Sequence, residues 1–154
     1  MSEAVVWRIC ERGYSPAAFA GKGSARRPGR WNLPGTCVVY CAESRSLAAL
    51  EILVNVRDSQ LLLGRKWVMI AAVLPSDTIE RPARIPANWQ DNPPPRETQE
   101  YGARWVATAR TAALRVPSVV VHGEFNYLLN PAHPDFARVR LLAPEPFRFD
   151  PGLD

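Results

Sequence analysis

Glu51 is the only acid between Glu43 and Asp58, and it interrupts the apolar run Leu47-Ala48-Ala49-Leu50-Glu51-Ile52-Leu53-Val54. At about 100° per residue of helix, it shares a side with Ser44, Asn55 and Asp58, flanked by Leu47, Ala48 and Val54. Two readings follow. Glu51 is the wetted edge of an amphipathic helix, or it is a carboxylate at the lip of an apolar cleft. Spacing alone does not choose between them.

Arg30-Trp31-Asn32 joins a bidentate anion donor, a stacking surface and an amide at the end of a glycine-rich stretch containing Gly13, Gly21, Gly23 and Gly29. Nearby glycines let backbone N–H groups approach a ligand, as in phosphate-cradling loops. Neither a GxGxxG nor a Walker lysine pattern is present, because Gly21-Lys22-Gly23-Ser24 lacks the earlier glycine. A solvated surface loop explains the same residues. Tyr40 stands just ahead of the Glu51 helix, where a core tyrosine with its hydroxyl at the edge is the plain reading. Ser118 follows Pro117 at the head of a valine run and lacks a surrounding Gly-x-Ser-x-Gly, which argues against a hydrolase nucleophile. His133, between Pro131 and Pro134, fits a turn as well as an acid or base.

The elements that must position these residues follow from the apolar pattern. Ala4 to Cys10 reads as a strand carrying Arg8, and Glu11 to Pro34 as a long polar loop of the kind that is more often functional than not. Thr36 to Cys41 reads as a second strand, with Val38 and Tyr40 on one face. Ser44 to Val56 is a helix capped by Ser44 or Ser46. Trp67 to Leu74 is apolar nearly throughout, like a strand buried on both faces. A proline-rich excursion over Pro75 to Pro95 precedes a helix expected from about Arg96 to Leu114. Val116 to His122 reads as a strand, Glu124 to Pro134 as a loop, Ala137 to Leu142 as a strand, and Pro146 to Asp150 as a short closing segment. The expectation is one mixed α/β, or α+β, domain spanning residues 1–154, with strand order left open.

Composition narrows the class. The chain has 154 residues, 47% of them hydrophobic and 22% charged, which is ordinary globular usage. No apolar stretch reaches the roughly 20 residues a bilayer requires, and Met1-Ser2-Glu3-Ala4 opens no signal peptide. Cys10, Cys37 and Cys41 make an odd set for disulfides. Cys37 and Cys41 are expected on one face of the second strand as reduced core thiols, with no metal site. These features point to the cytoplasm. The net charge of +4 raises nucleic-acid binding as a third class, but the 19 basic residues include only two lysines and cluster only at Arg26-Arg27-Pro28-Gly29-Arg30.

Taken together, the pieces resemble the RES domain, whose pattern is carried here by Trp7-Arg8-Ile9, Gly29-Arg30-Trp31-Asn32, Val39-Tyr40, the Leu47 to Val54 run with Glu51, Val116-Pro117-Ser118, Asn126-Tyr127-Leu128-Leu129-Asn130-Pro131 and His133-Pro134-Asp135-Phe136. The resemblance covers about residues 7–140, with Pro28 standing where the family tends to have another glycine. It implies an ADP-ribosyltransferase-like fold and a bacterial toxin that depletes NAD by cleaving the nicotinamide–ribose bond, with NAD as substrate and no cofactor or metal. It implies Arg30, Tyr40, Glu51 and Ser118 as catalytic residues, with Arg8, Arg30, Trp31 and Asn130 binding substrate. Arg30 and Arg8 would meet the phosphates, Tyr40 the nicotinamide or its ribose, and Glu51 the ribose as it gains positive charge. A cognate Xre-like helix-turn-helix antitoxin is the implied partner, a homodimer inside that complex is compatible with it, and neither direct nucleic-acid binding nor a membrane is expected. ADP-ribosylation of a host protein is the alternative activity.

Overall fold

A computed structural model describes residues 2–153. Its strands are β1 (Glu3–Glu11), β2 (Val39–Ala42), β3 (Trp67–Pro75), β4 (Ile79–Glu80), β5 (Ala113–Pro117), β6 (Phe125–Leu129), β7 (Arg140–Leu141) and β8 (Glu145–Phe147). Its α-helices are α1 (Lys22–Arg26), α2 (Arg45–Asn55), α3 (Ser59–Gly64) and α4 (Arg96–Thr108). The strands form one mixed sheet in the order β4-β5-β6-β2-β1-β3-β7, with β8 also on β3. Among the described residues only the β4–β5 pairing is parallel.

Chain geometry forces this sheet to curl. Pro75 ends β3 and Ile79 begins β4, so Ser76–Thr78 alone connect them. Four Cα steps reach about 14 Å at most. Five strand spacings separate β4 from β3 in the sheet order, which laid flat would be roughly 24 Å. The two edges therefore bend toward each other. The enclosed face holds a core drawn from six strands: Val6, Val39, Cys41, Ala72, Leu74, Ile79, Ala113, Tyr127 and Leu129, with Val139.

The outer face carries the helices. Leu47 and Ala48 of α2 pack on Ile9, Ala42, Trp67 and Met69. Trp105 of α4 packs with Trp31, Val38, Leu114, Val116 and Leu128. The curled sheet is nearly split: β1 pairs with β3 over nine residues but with β2 only at Trp7 and Ala42. Where β1 and β2 diverge, the Arg8 guanidinium donates to the Tyr40 carbonyl at 3.0 Å.

Several boundaries differ from those expected of the sequence, each for a physical reason. The Glu11 to Pro34 stretch is not structureless; it holds a 3-10 turn over Arg12–Ala17 and the short α1. The last long helix stops at Thr108 because Ala109 adopts a left-handed conformation (φ 49°), and Ala113–Pro117 form a strand instead. That run is helix-like in composition, yet sheet pairing on both sides buries Ala113, Leu114 and Val116 completely. Strand β5 therefore ends where the valine run begins, and residues 118–123 turn back into β6. The expected Glu124 to Pro134 loop contains β6, whose Phe-Asn-Tyr-Leu-Leu pairs with both β2 and β5. Residues Pro134–Arg138 form a 3-10 turn, leaving only Arg140–Leu141 as strand. Cys37 lies ahead of β2, not within it; all three cysteines are free thiols, with Cys41 buried in the inner core.

Candidate active site

Helix α2 starts where it does because the Ser44 hydroxyl accepts from the Leu47 amide at 3.1 Å. Leu47 and Ala48 are drawn into the core, and this sets the rotation of the helix and swings Glu51 toward the β5–β6 turn. There Glu51 is neither simply solvated nor free. Its Oε2 accepts from the Ser118 hydroxyl at 3.0 Å and from Asn126 Nδ2 at 2.8 Å. Ser118 itself is 1% exposed, and its oxygen accepts from the Val120 and Val121 amides, both at 3.1 Å. With two N–H groups on its lone pairs, the Ser118 proton points to Glu51. Ser118 thus steadies a carboxylate and is not poised as a nucleophile. Glu51 and Ser118 stand 67 residues apart in sequence and meet here through this hydrogen bond.

The arginine loop is built around a different centre. Asn32 is fully buried, and its Oδ1 accepts from the Gly29 amide at 2.8 Å and the Tyr40 hydroxyl at 2.6 Å. Its Nδ2 donates to the carbonyls of Ser24 at 2.8 Å and Thr36 at 3.1 Å. The Tyr40 oxygen also accepts from the Trp31 amide at 3.0 Å. Gly29 is required here: a Cβ would lie 2.7 Å from the Tyr40 hydroxyl oxygen. Burial holds the Tyr40 phenol well above its ordinary pKa, partly offset by the Trp31 amide and Arg30, so it stays protonated. Tyr40 therefore pins the loop that carries Arg30.

Arg30 reaches across to the proline-rich excursion. Its Nη1 donates to the carbonyls of Trp89 (2.8 Å) and Asp91 (2.5 Å), and its Nη2 to Asn92 Oδ1 (2.6 Å). Its Nε–H and one Nη2–H have no partner among the described residues. Burial lowers the guanidinium pKa, while Glu51, Asp91 and Tyr40 oppose that shift.

The other sequence candidates stand further off. Trp31 is 3% exposed and edge-on to Tyr101, with ring centroids 5.9 Å apart, so its indole is core and not an open stacking surface. Its carbonyl explains Gly102 in mid-helix, where a Cβ would lie 1.6 Å from the Trp31 oxygen. Arg8 pairs with Ile70 on β1 and reaches the Tyr40 carbonyl, not the Arg30 loop tip. Asn130, buried just past β6, closes its own turn by accepting from the Ala132 amide at 3.0 Å. His133 caps the following turn through Nδ1, which accepts from the Asp135 amide at 2.9 Å. Sequence reasoning misses Asn126; a polar side chain inside the run Phe-Asn-Tyr-Leu-Leu is the available signal. No group of three or more His, Cys, Asp or Glu residues able to hold a metal occurs among the described residues. No described helix is long and apolar enough to cross a membrane.

A curled, nearly split sheet with helices outside, a glutamate held on α2 and an arginine carried on a glycine-rich loop define a class, and comparison with known proteins identifies it. A chain of the M. tuberculosis MbcT–MbcA toxin–antitoxin complex superposes with a TM-score of 0.78 at 12% identity, covering 96% of this chain and 85% of that one. The two chains share one fold. The RES domain family model matches residues 5–150, and the chain belongs to that family. A Sphingobium protein named Prs ADP-ribosylating toxin is 38% identical over 152 residues, 96% of this chain and 94% of that protein. The protein named Toxin Res from Yersinia enterocolitica is 35% identical over 150 residues, 97% and 99% respectively. The chain is thus a RES-domain toxin.

Proposed function

We propose that this toxin consumes NAD by breaking the bond between nicotinamide and ribose. The observation that carries the reading is Glu51, held through a single carboxylate oxygen by Ser118 and Asn126 while its Oε1 has no partner among the described residues. Nicotinamide leaves from a positively charged ring nitrogen, so the leaving group needs no proton. The C–N bond breaks, its electron pair neutralises the ring nitrogen, and positive charge builds on the ribose. A fixed carboxylate offsets that charge without reorganising during the step. The acceptor, water or phosphate, then adds oxygen to the same carbon and releases a proton to solvent. Arg30 keeps two N–H groups for a phosphate oxygen, and Tyr40 serves the site by fixing the Arg30 loop.

A second reading has a specific observation behind it: the Sphingobium relative is named an ADP-ribosylating toxin. Here the same bond breaks and a protein side chain takes the ribosyl carbon. NAD labelled in the adenosine half separates the two. Soluble labelled product with free nicotinamide supports consumption, and label retained on protein supports transfer. Intact NAD after prolonged incubation with active toxin and phosphate refutes both. We further propose a cytoplasmic site of action and a cognate Xre-like helix-turn-helix antitoxin, supported by the likeness to a toxin–antitoxin complex. Growth arrest on expression of the chain alone, relieved by its neighbouring reading frame, tests the pairing.

A further inference from the structure

We infer that Asn126 is a positioning residue for Glu51, setting which carboxylate oxygen faces the substrate; the inference rests on the NAD reading above. Asn126 lies on β6, in register with Ala42 of β2 and Val116 of β5, so ladders on both sides fix its backbone. Its Nδ2 meets Glu51 Oε2 at 2.8 Å, and Ser118, from beyond the end of β5, meets the same oxygen at 3.0 Å. One donor would let the carboxylate pivot about that contact. Two donors from separate elements stop the rotation and leave Oε1 as the free oxygen. The Asn126 amide cannot turn over, because its Oδ1 would then face Oε2, acceptor against acceptor. In this orientation Oδ1 is buried and has no partner among the described residues.

The Asn126→Asp variant tests this, because it keeps the size and the Oδ1 acceptor but replaces the donor with a second carboxyl group. Two carboxyl groups at this distance share one proton, and the pair's upper apparent pKa rises. While that proton is held, the introduced carboxyl group can still donate to Glu51. Once it is lost, repulsion turns Glu51 away. With NAD as probe, the expected result is a KM close to that of the wild type and a kcat that falls with rising pH through a limb the wild type lacks. A displaced reacting group costs about 10²-fold in rate, which sets the depth of that limb. Folded stability should fall through the same pH window, because a group whose pKa is raised by folding contributes stability that is lost as pH passes the folded value.

A variant kcat that tracks the wild type at every pH overturns the inference. If the wild type leaves NAD intact, the NAD reading falls, and the melting temperatures alone decide Asn126: a variant-minus-wild-type difference that does not move with pH overturns its hold on Glu51. If Asn126→Asp does not fold, Asn126→Ser replaces it, since the short hydroxyl cannot reach Oε2. Lowered kcat with retained KM then supports the inference, and unchanged kcat overturns it.

Discussion

Replacing Glu51 by glutamine separates the charge of this residue from its shape. The carbonyl oxygen of the introduced amide can accept from both Ser118 and Asn126, as Oε2 does at 3.0 and 2.8 Å, so the contacts that hold the side chain survive. Only the negative charge proposed to offset the ribose is lost. Removing one preorganised electrostatic group typically lowers kcat by about 10²–10³. At roughly 1.4 kcal/mol per decade this is about 2.7–4 kcal/mol of transition-state stabilisation. The folded state should barely notice, because no cation pairs directly with Glu51 among the described residues. A change below about 1 kcal/mol moves the melting temperature by no more than about 2–4 °C in a chain of this size. The assay is nicotinamide release from NAD under saturating substrate, with a thermal melt of each sample. Glu51→Gln retaining more than about a tenth of wild-type kcat would refute the electrostatic role. A melting point that collapses with activity would instead make Glu51 a structural residue.

Tyr40→Phe removes the hydroxyl that joins Asn32 to the Trp31 amide and strands that amide; the expected cost is about 1–3 kcal/mol, read as a lower melting temperature together with reduced nicotinamide release. Gly102→Ala drives a Cβ onto the Trp31 carbonyl and should cost about 3 kcal/mol or more, the upper end for overpacking; an unchanged urea midpoint would contradict the close approach. Burial pushes the Cys41 thiol from its ordinary 9.0 up to about 12. A pKa raised by folding gives stability that is intact below pH 9 and lost toward pH 12. The melting-temperature advantage of wild type over Cys41→Ala should therefore shrink as pH rises above 9, and an advantage that grows would reverse the sign of the argument.

How much of this is legible in the sequence depends on whether local pattern or distant pairing decides each element. Helix α2 and strands β1 and β3 are readable because their own periodicity matches their burial, and β3 is apolar throughout because both its faces are covered. Strands β5 and β6 escape such a reading because neither is specified locally. Ala113-Leu114 continues a helical composition, and only pairing with β4 and β6 makes it a strand. Phe125 to Leu129 becomes strand only with β2 and β5 on either side. Sheet closure is likewise invisible in the sequence, since it follows from Ser76–Thr78 having to join strands five spacings apart in the order.

The site divides along the same line. Glu51 is ambiguous on its helix because a wetted edge and a held carboxylate have the same spacing; what separates them is a contact across 67 residues to Ser118 and another across 75 to Asn126. Asn126 belongs to the family pattern but is given no role from the sequence, because nothing local in Phe125 to Leu129 reveals its contact with Glu51. Trp31 and Asn32, ligand-facing by their residue types, turn inward because an arginine presented on a glycine-rich loop requires something rigid behind it. Asn32 satisfies the loop's backbone, Tyr40 ties that hub to β2, and Trp31 locks against Gly102 of α4. The two charged groups, Arg30 and Glu51, are thus each held by uncharged hydrogen-bonding groups. That separation of support from charge makes the Glu51→Gln and Tyr40→Phe experiments independent: the first removes charge and spares the scaffold, and the second loosens the scaffold and spares the charge.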